Sequence, residues 1–303
     1  GSPGLFADTA HDTAVAEIVS RTAPDAELYL ASIGPDGGPD AYAAAVRWLQ
    51  ERDVDVVVDA GSYFPSSADG MAKLNRVASA AARNDTAFVT SAGNYADRHW
   101  HGTGSEGWLA FENGTRYNTL GNGEIGGAVS LRLYWQGDAD YDLYLYRAVD
   151  GEDPLVAKSA ANATGQTEAI DATVPTGEYY VAIRGGPDAN DSSVDLFASH
   201  HELGISSDSG GMVAPATAEG VIAVGAADAV SGQRRPYSST GPALDISAPD
   251  GADTSAAGEL YGSSAAAPLV AGTLTLMLAG NESLTPREAQ RVLRATAVSH
   301  DGE

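Results

Sequence analysis

Cysteine is absent from the 303 residues, which excludes thiol nucleophiles, cysteine-ligated zinc and any disulfide staple. Lysine is almost absent: Lys73 and Lys158 are the only two, and the other basic side chains are arginines. With 41 acidic against 17 basic residues the formal net charge is −24, which argues against a nucleic-acid partner because phosphates would be repelled. Large apolar side chains are thinned in favour of Ala, Val and Gly, with five Phe, four Trp and three Met. No run reaches about 18 uninterrupted apolar residues, the length needed to cross a bilayer. What is present in excess is carboxylate. Carboxylates hold water while salt screens their repulsion, so the balance fits a protein of a salt-loving organism, and an ordinary acidic secreted protein is the other reading. Gly1-Ser2-Pro3-Gly4 reads as a cut end or tag remnant, not as a signal peptide.

The hydrophobic pattern changes twice along the chain. From His11, residues Val15, Ile18 and Val19 recur at helical spacing until Ala23-Pro24-Asp25. Glu27–Ala31 reads as a strand, Asp40–Arg52 as an amphipathic helix, and Val54–Val58 as a β-branched run of the kind buried in a parallel sheet. A helix over Ala72–Asn84 and a strand over Ala87–Thr90 follow. Strands alternating with helices predict a doubly wound α/β sheet whose functional loops lie at the carboxyl ends of its strands. From about Gly104 to Leu203 the texture is instead period two, as in Val129–Trp135, Tyr141–Tyr146 and Tyr179–Ile183, with Gly, Asp and Asn clusters between. That predicts an inserted antiparallel β-sandwich, jelly-roll-like, over residues 104–203, dividing an α/β domain into residues 1–103 and 204–303. Strands at Val221–Ala226 and Leu244–Pro249 resume the α/β pattern, and Thr285-Pro286 caps a last helix.

Three stretches carry chemistry. Gly262-Ser263-Ser264-Ala265-Ala266-Ala267-Pro268 opens an apolar helix at Leu269–Leu278 and places one hydroxyl at a helix N-terminus. Free N–H groups and the helix dipole favour negative charge there, as an attacking alkoxide and its oxyanion require. His11-Asp12-Thr13-Ala14-Val15-Ala16 supplies an imidazole at the start of a helix. Ser91-Ala92-Gly93-Asn94 supplies an amide just past a buried strand. Each motif has a plain structural reading, as a helix cap, a solvated histidine or a turn asparagine. Their order gives the functional one: a nucleophile, a base and an oxyanion donor are the parts that serine acyl transfer needs.

The stretches resemble the H-G-T-x-V-A, asparagine and G-T-S-x-A-x-P motifs of subtilisin-like serine proteases, with Ser263 where that family usually has Thr. Further similarity lies in Ala214-Pro215-Ala216-Thr217 with Val221–Ala226, and in Tyr237-Ser238-Ser239-Thr240-Gly241-Pro242 followed by Asp245-Ile246-Ser247-Ala248-Pro249. The resemblance covers His11–Gly102 and about Val213 onward. It implies a serine endopeptidase with Ser264 as nucleophile, His11 as general base and Asn94 as oxyanion donor. It also implies a polypeptide substrate lying extended against Gly61-Ser62 and Ser91-Ala92-Gly93, no required cofactor, and a secreted or cell-surface setting. The alternative is an inactive binding protein on the same scaffold, holding a protein or glycan through the β-sandwich.

The chain departs from that family at the acid that orients the histidine, which the family carries on an upstream strand in a D-[ST]-G motif. The expectation is that the acid-bearing segment precedes this chain. Asp8 sits in the loop leading to the helix, Asp12 is an adjacent helical residue expected to point away from His11, and Asp59, at a strand end, is the remaining substitute. In the inserted region Asp138, Asp140 and Asp142 read as a structural Ca²⁺ site or as a solvated strand edge. Tyr134, Tyr144 and Tyr146 are assigned to the sandwich's face and core. His99, His101, His200 and His201 are assigned to the surface, since their spacing matches no zinc motif.

Overall fold

The computed structural model describes residues 9–34, 37–112, 114–160 and 166–298. In chain order the elements are α1 (Thr9–Thr22), α2 (Pro39–Gln50), β1 (Val56–Asp59), α3 (Ala68–Arg83) and β2 (Ala87–Ser91). Seven strands follow: β3 (His99–Thr103), β4 (Gly107–Trp108), β5 (Asn118–Trp135), β6 (Tyr141–Ala148), β7 (Leu155–Ser159), β8 (Thr167–Gly185) and β9 (Ser193–Ala198). The chain ends with β10 (Ile222–Ala227), β11 (Ile246–Pro249), β12 (Ala252–Thr254), β13 (Gly258–Leu260), α4 (Ser263–Gly280) and α5 (Pro286–Thr296). These form two units: Gly1–Pro65 with Gly70–Asn94 and Met212–Glu303, and Ser66–Asp69 with Tyr95–Gly211. The β-rich unit starts earlier and ends later than 104–203, because β3 is hydrogen-bonded to β9, with His99 opposite Phe197.

In the larger unit a parallel sheet runs in the order β1-β2-β10-β11. Alternation along the strands divides its side chains between two layers. Val89, Ile222 and Val224 pack against Ala267, Val270, Ala271 and Leu274 of α4 on one face. Val57 and Phe88 meet Tyr42, Val46, Leu74 and Ala78 of α2 and α3 on the other. α4 is long and apolar enough to cross a membrane, yet Ala266, Ala267, Val270, Ala271 and Leu274 pack within this core, while Leu276 is exposed. Helices on both faces are what two-sided apolar strands require.

The strand expected at Glu27–Ala31 does not form. Leu28, Tyr29 and Leu30 are 41%, 38% and 73% exposed, so this run has a strand's composition without a neighbour to complete a ladder. β12 and β13, an antiparallel hairpin just before α4, had no counterpart in the sequence reading. The segment joining them holds α1, since the Glu17 carboxylate accepts from the Ser255 N–H and hydroxyl at 2.9 Å.

α1 also approaches α4 closely at Gly272, where a Cβ would stand 2.6 Å from both Cβ and Cγ2 of Thr22. Thr22 is held by donation of its hydroxyl to the Ile18 carbonyl at 2.8 Å. Alanine improves helix propensity by about 1 kcal/mol, but overpacking costs about 1–3 kcal/mol. Gly272→Ala is therefore expected to destabilise the protein by about 1 kcal/mol, read as a lower urea midpoint at unchanged slope.

In the smaller unit the strands join into a single antiparallel sheet, β3-β9-β5-β8-β6-β7 with β4 on β8. The sequence reading expected two stacked sheets. Here β5 and β8, of 18 and 19 residues, carry the ladder from one half to the other through irregularities between Leu120 and Gly127. Inward residues of both halves, among them Leu131, Leu133, Leu143, Leu145, Val181 and Ile183, belong to one buried cluster. Tyr144, Tyr146 and Tyr180 lie on the outer face, successive rings stacking at 6.2 Å and 5.4 Å, and Tyr134 packs edge-on against Phe197.

Candidate active site

The carboxyl ends of β1 and β2 and the N-terminus of α4 meet in the larger unit. Gly262 precedes α4 with φ of +96°, a conformation that favours glycine. A Cβ at this position would lie 2.6 Å from Asn94 Nδ2. The Gly262 N–H donates to Asp250 Oδ2 at 3.0 Å. Asp250, fully buried at its side chain, also takes Arg235 Nε at 2.8 Å and the Tyr237 hydroxyl. Sequence reasoning passed over this anchor, although Asp250 directly follows Ala248-Pro249 of a motif already noted. Removing one partner of a buried ion pair costs about 3–5 kcal/mol. Asp250→Ala is expected to lose at least the lower figure in denaturant unfolding, Arg235→Ala less because Arg235 is partly exposed.

Ser264 is the second residue of α4. Its backbone N–H has no partner among the described residues, as expected in a first helical turn. Its hydroxyl donates to the Ala60 carbonyl at 3.0 Å. The neighbouring Ser263 orients Asn94: Asn94 Oδ1 accepts from the Ser263 N–H at 3.0 Å and from Ser263 Oγ at 3.2 Å. Ser263 Oγ itself accepts from the Gly93 N–H at 3.1 Å. With the amide oxygen committed on that side, Nδ2 faces away from Ser263. Ser263 was read only as a stand-in for threonine, and the hydroxyl shared by the two is the part that acts here. Gly93, at φ of +101°, passes its carbonyl to the Ser239 N–H at 3.0 Å.

His11 lies in the first turn of α1, partly buried. α1 and α4 approach at Thr22 and Gly272. The Asp12 charge is felt at Asp59, and Ser264 reaches Ala60, next to Asp59. Both helices thus begin near the carboxyl end of β1. The Ser264 hydroxyl is directed to Ala60, and the described bond of the His11 ring is to Asp12.

The adjacent acid does not point away: Asp12 Oδ1 lies 3.2 Å from His11 Nδ1. In a first helical turn the side chain of the next residue can still fold back, which spacing along a regular helix does not capture. Asp12 is 76% exposed, so solvent weakens the pair. Asp8 lies outside the described residues. Asp59 is turned elsewhere: Oδ1 accepts from the Gly61 N–H at 2.9 Å and the Tyr63 hydroxyl at 3.1 Å. Its Oδ2 accepts from the Tyr42 hydroxyl at 3.0 Å. Burial pushes its pKa up to about 6 against those three donors, and the Asp12 charge adds to the rise.

Of the expected substrate-facing residues, Ser91 donates from Oγ to the Gly61 carbonyl at 3.2 Å. Ala92 and Gly93 are buried beside it, and Ser62 is partly exposed. In the smaller unit, Asp140 and Asp142 line a cavity of about 260 Å³ with Glu106 and Arg184. Asp142 accepts from the Tyr144 hydroxyl at 2.9 Å. Among the described residues no group of three or more His, Asp or Glu is placed to hold a metal ion. His99 is not at the surface. It is 3% exposed, and its Nε2 lies 2.8 Å from Asp195 Oδ1, which His101 Nδ1 shares at 3.1 Å.

Residues 199–303 match the Peptidase_S8 model, described as the Subtilase family. No curated protein matches the chain. Among solved structures, the Clostridium perfringens CspB protease is 15% identical with a TM-score of 0.59, covering 88% of this chain and 67% of that one. A lanthipeptide protease is 15% identical with a TM-score of 0.50, covering 96% and 70%. At this identity the likeness establishes architecture alone: the chain has the α/β fold of subtilisin-like proteases, and its C-terminal third is similar in sequence to the Subtilase family.

Proposed function

We propose that the chain is a serine endopeptidase acting through an acyl-enzyme on Ser264, with His11 as general base and Asn94 and the Ser264 N–H as oxyanion donors. The observation that carries this reading is the orientation of Asn94 by Ser263 beside the Ser264 N–H, which has no partner among the described residues. A backbone donor at a helix N-terminus with an amide donor from the loop beside it is what a developing oxyanion needs, and their setting costs nothing at the moment of reaction. An extended polypeptide whose N–H takes the Ala60 carbonyl displaces the Ser264 hydroxyl, which then turns to His11. A secreted or cell-surface setting in high salt belongs to the same reading, supported by the charge of −24. The chemistry requires no cofactor.

One observation favours a second reading, an inactive binding protein: the serine hydroxyl rests on Ala60. A fluorophosphonate probe separates the two. Adduct mapped by mass spectrometry to Ser264 supports the peptidase, and a protein left unlabelled at every serine supports the binding protein.

A further inference from the structure

The segment leaving β1 is held by an arrangement that the catalytic reading leaves unused. Gly61 has both backbone groups engaged: its N–H by Asp59 Oδ1 and its carbonyl by Ser91 Oγ. Two residues on, the Tyr63 N–H donates to the Ala214 carbonyl at 3.1 Å. Backbone groups of successive residues in an extended chain face opposite edges. On either side of the anchored Gly61, Ala60 offers its carbonyl to Ser264 and Ser62 is partly exposed.

Asp59 is the centre of this hold. Tyr42 and Tyr63 both donate to it, and their rings meet edge-to-face at 5.2 Å. Gly61 is required by the close packing, because a Cβ would stand 2.8 Å from the Tyr63 hydroxyl and 3.0 Å from Asp59 Oδ1. An ionised carboxylate accepts from all three with charge-assisted bonds. Once Oδ2 is protonated it donates to the Tyr42 hydroxyl instead, and Oδ1 is left as a weaker, neutral acceptor for Gly61 and Tyr63.

We propose that Asp59 is a positioning residue that presets the Ala60–Ser62 edge for an extended polypeptide, and loosens its hold on that edge on protonation. The inference rests on the peptidase reading for the occupant's chemistry. Polypeptide affinity is then present while Asp59 is ionised and falls as pH drops through its folded-state pKa. The titratable groups around Asp59 are Asp12 and, beside it, His11 on α1, Tyr42 on α2, and Tyr63.

The test measures fluorescence anisotropy of labelled hexa-alanine, with labelled di-alanine as a probe too short to span the edge. The protein carries Ser264→Ala so that nothing is cleaved. Hexa-alanine is expected to bind about tenfold more weakly at pH 5 than at pH 7.5, consistent with loss of one hydrogen bond to a charged group. Asp59→Asn should bind weakly at both pH values, and di-alanine should respond to neither change. Tyr63→Phe removes a donor that lowers the Asp59 pKa, so the midpoint moves up. Asp12→Asn removes a like charge that raises it, so the midpoint moves down. A purely structural role would produce no such opposed shifts. The proposal is overturned if Asp59→Asn keeps the pH dependence, which then belongs to His11, if the midpoints do not move, or if hexa-alanine does not bind. Fluorophosphonate labelling of the parent chain is a separate arm: lost labelling with pH-dependent binding sinks the peptidase reading alone, and labelling without that binding sinks only the role of Asp59.

Discussion

Ser264→Ala is expected to abolish fluorophosphonate labelling and to lower peptide-bond hydrolysis by about 10⁴–10⁶-fold, leaving only what oriented binding and the oxyanion donors supply. The loss should fall on kcat, since the hydroxyl contributes to the covalent step and not to holding an extended chain. Folding should barely notice. Ser264 is almost wholly buried, but its hydroxyl makes one described bond, to Ala60, and the helix start is held independently by Asn94 and Asp250. A neutral hydrogen bond of that kind is worth about 1 kcal/mol. Hydrolysis that survives the substitution at a substantial fraction of the parent rate would place the chemistry on another residue.

Local signals told most where a single element sufficed to express them. The buried run at Val54–Val58, the 3.6-residue rhythm from His11 and the apolar run at Leu269–Leu278 each describe one segment in contact with a core; they correspond to β1 at Val56–Asp59, α1 at Thr9–Thr22 and α4, which starts six residues earlier than the run, at Ser263. What depended on partners distant in sequence was not legible. Leu28-Tyr29-Leu30 has strand-forming residues, but a strand exists only with a neighbour, and local composition does not report one. His99 was assigned to the surface because its spacing matches no zinc motif, and its partner, Asp195, lies 96 positions away, where no local pattern reports it. β5 and β8 were seen only in fragments, since glycines between Leu120 and Val129 in the one and Pro175 and Gly177 in the other break the alternation that their hydrogen bonds continue across.

The site divides the same way. Asn94, Ser264 and His11 stand out through short motifs, because the chemistry needs a particular residue type at a particular place on an element. The supports did not stand out. Ser263 binds Asn94 across 169 positions, and Asp59 draws on Tyr42, 17 positions before it. These bonds impose no spacing on the sequence. They appear only when β1 and β2 end, and α4 begins, at one edge of the sheet.

That separation gives the second large prediction, at Asn94. Asn94→Ala is expected to reduce kcat by about 10²–10³-fold, or about 2.7–4 kcal/mol of transition-state stabilisation, with KM little changed. The alanine also strands the Ser263 N–H and hydroxyl, so part of the effect will register as instability. Asn94→Asp isolates the donor: either carboxylate oxygen can still accept from Ser263, but the other faces the substrate as an anion instead of an N–H. Its kcat should fall at least as far as that of the alanine variant, while its unfolding midpoint stays closer to the parent's. Ser263→Ala leaves the amide in place but removes one of the two bonds that aim it, so a loss nearer tenfold follows, with recovery in Ser263→Thr, which restores the hydroxyl. Equal activity in Asn94→Asp and the parent would show that the amide nitrogen donates nothing to the reacting oxygen. The Ser264 N–H would then stand as the sole donor identified at this helix end.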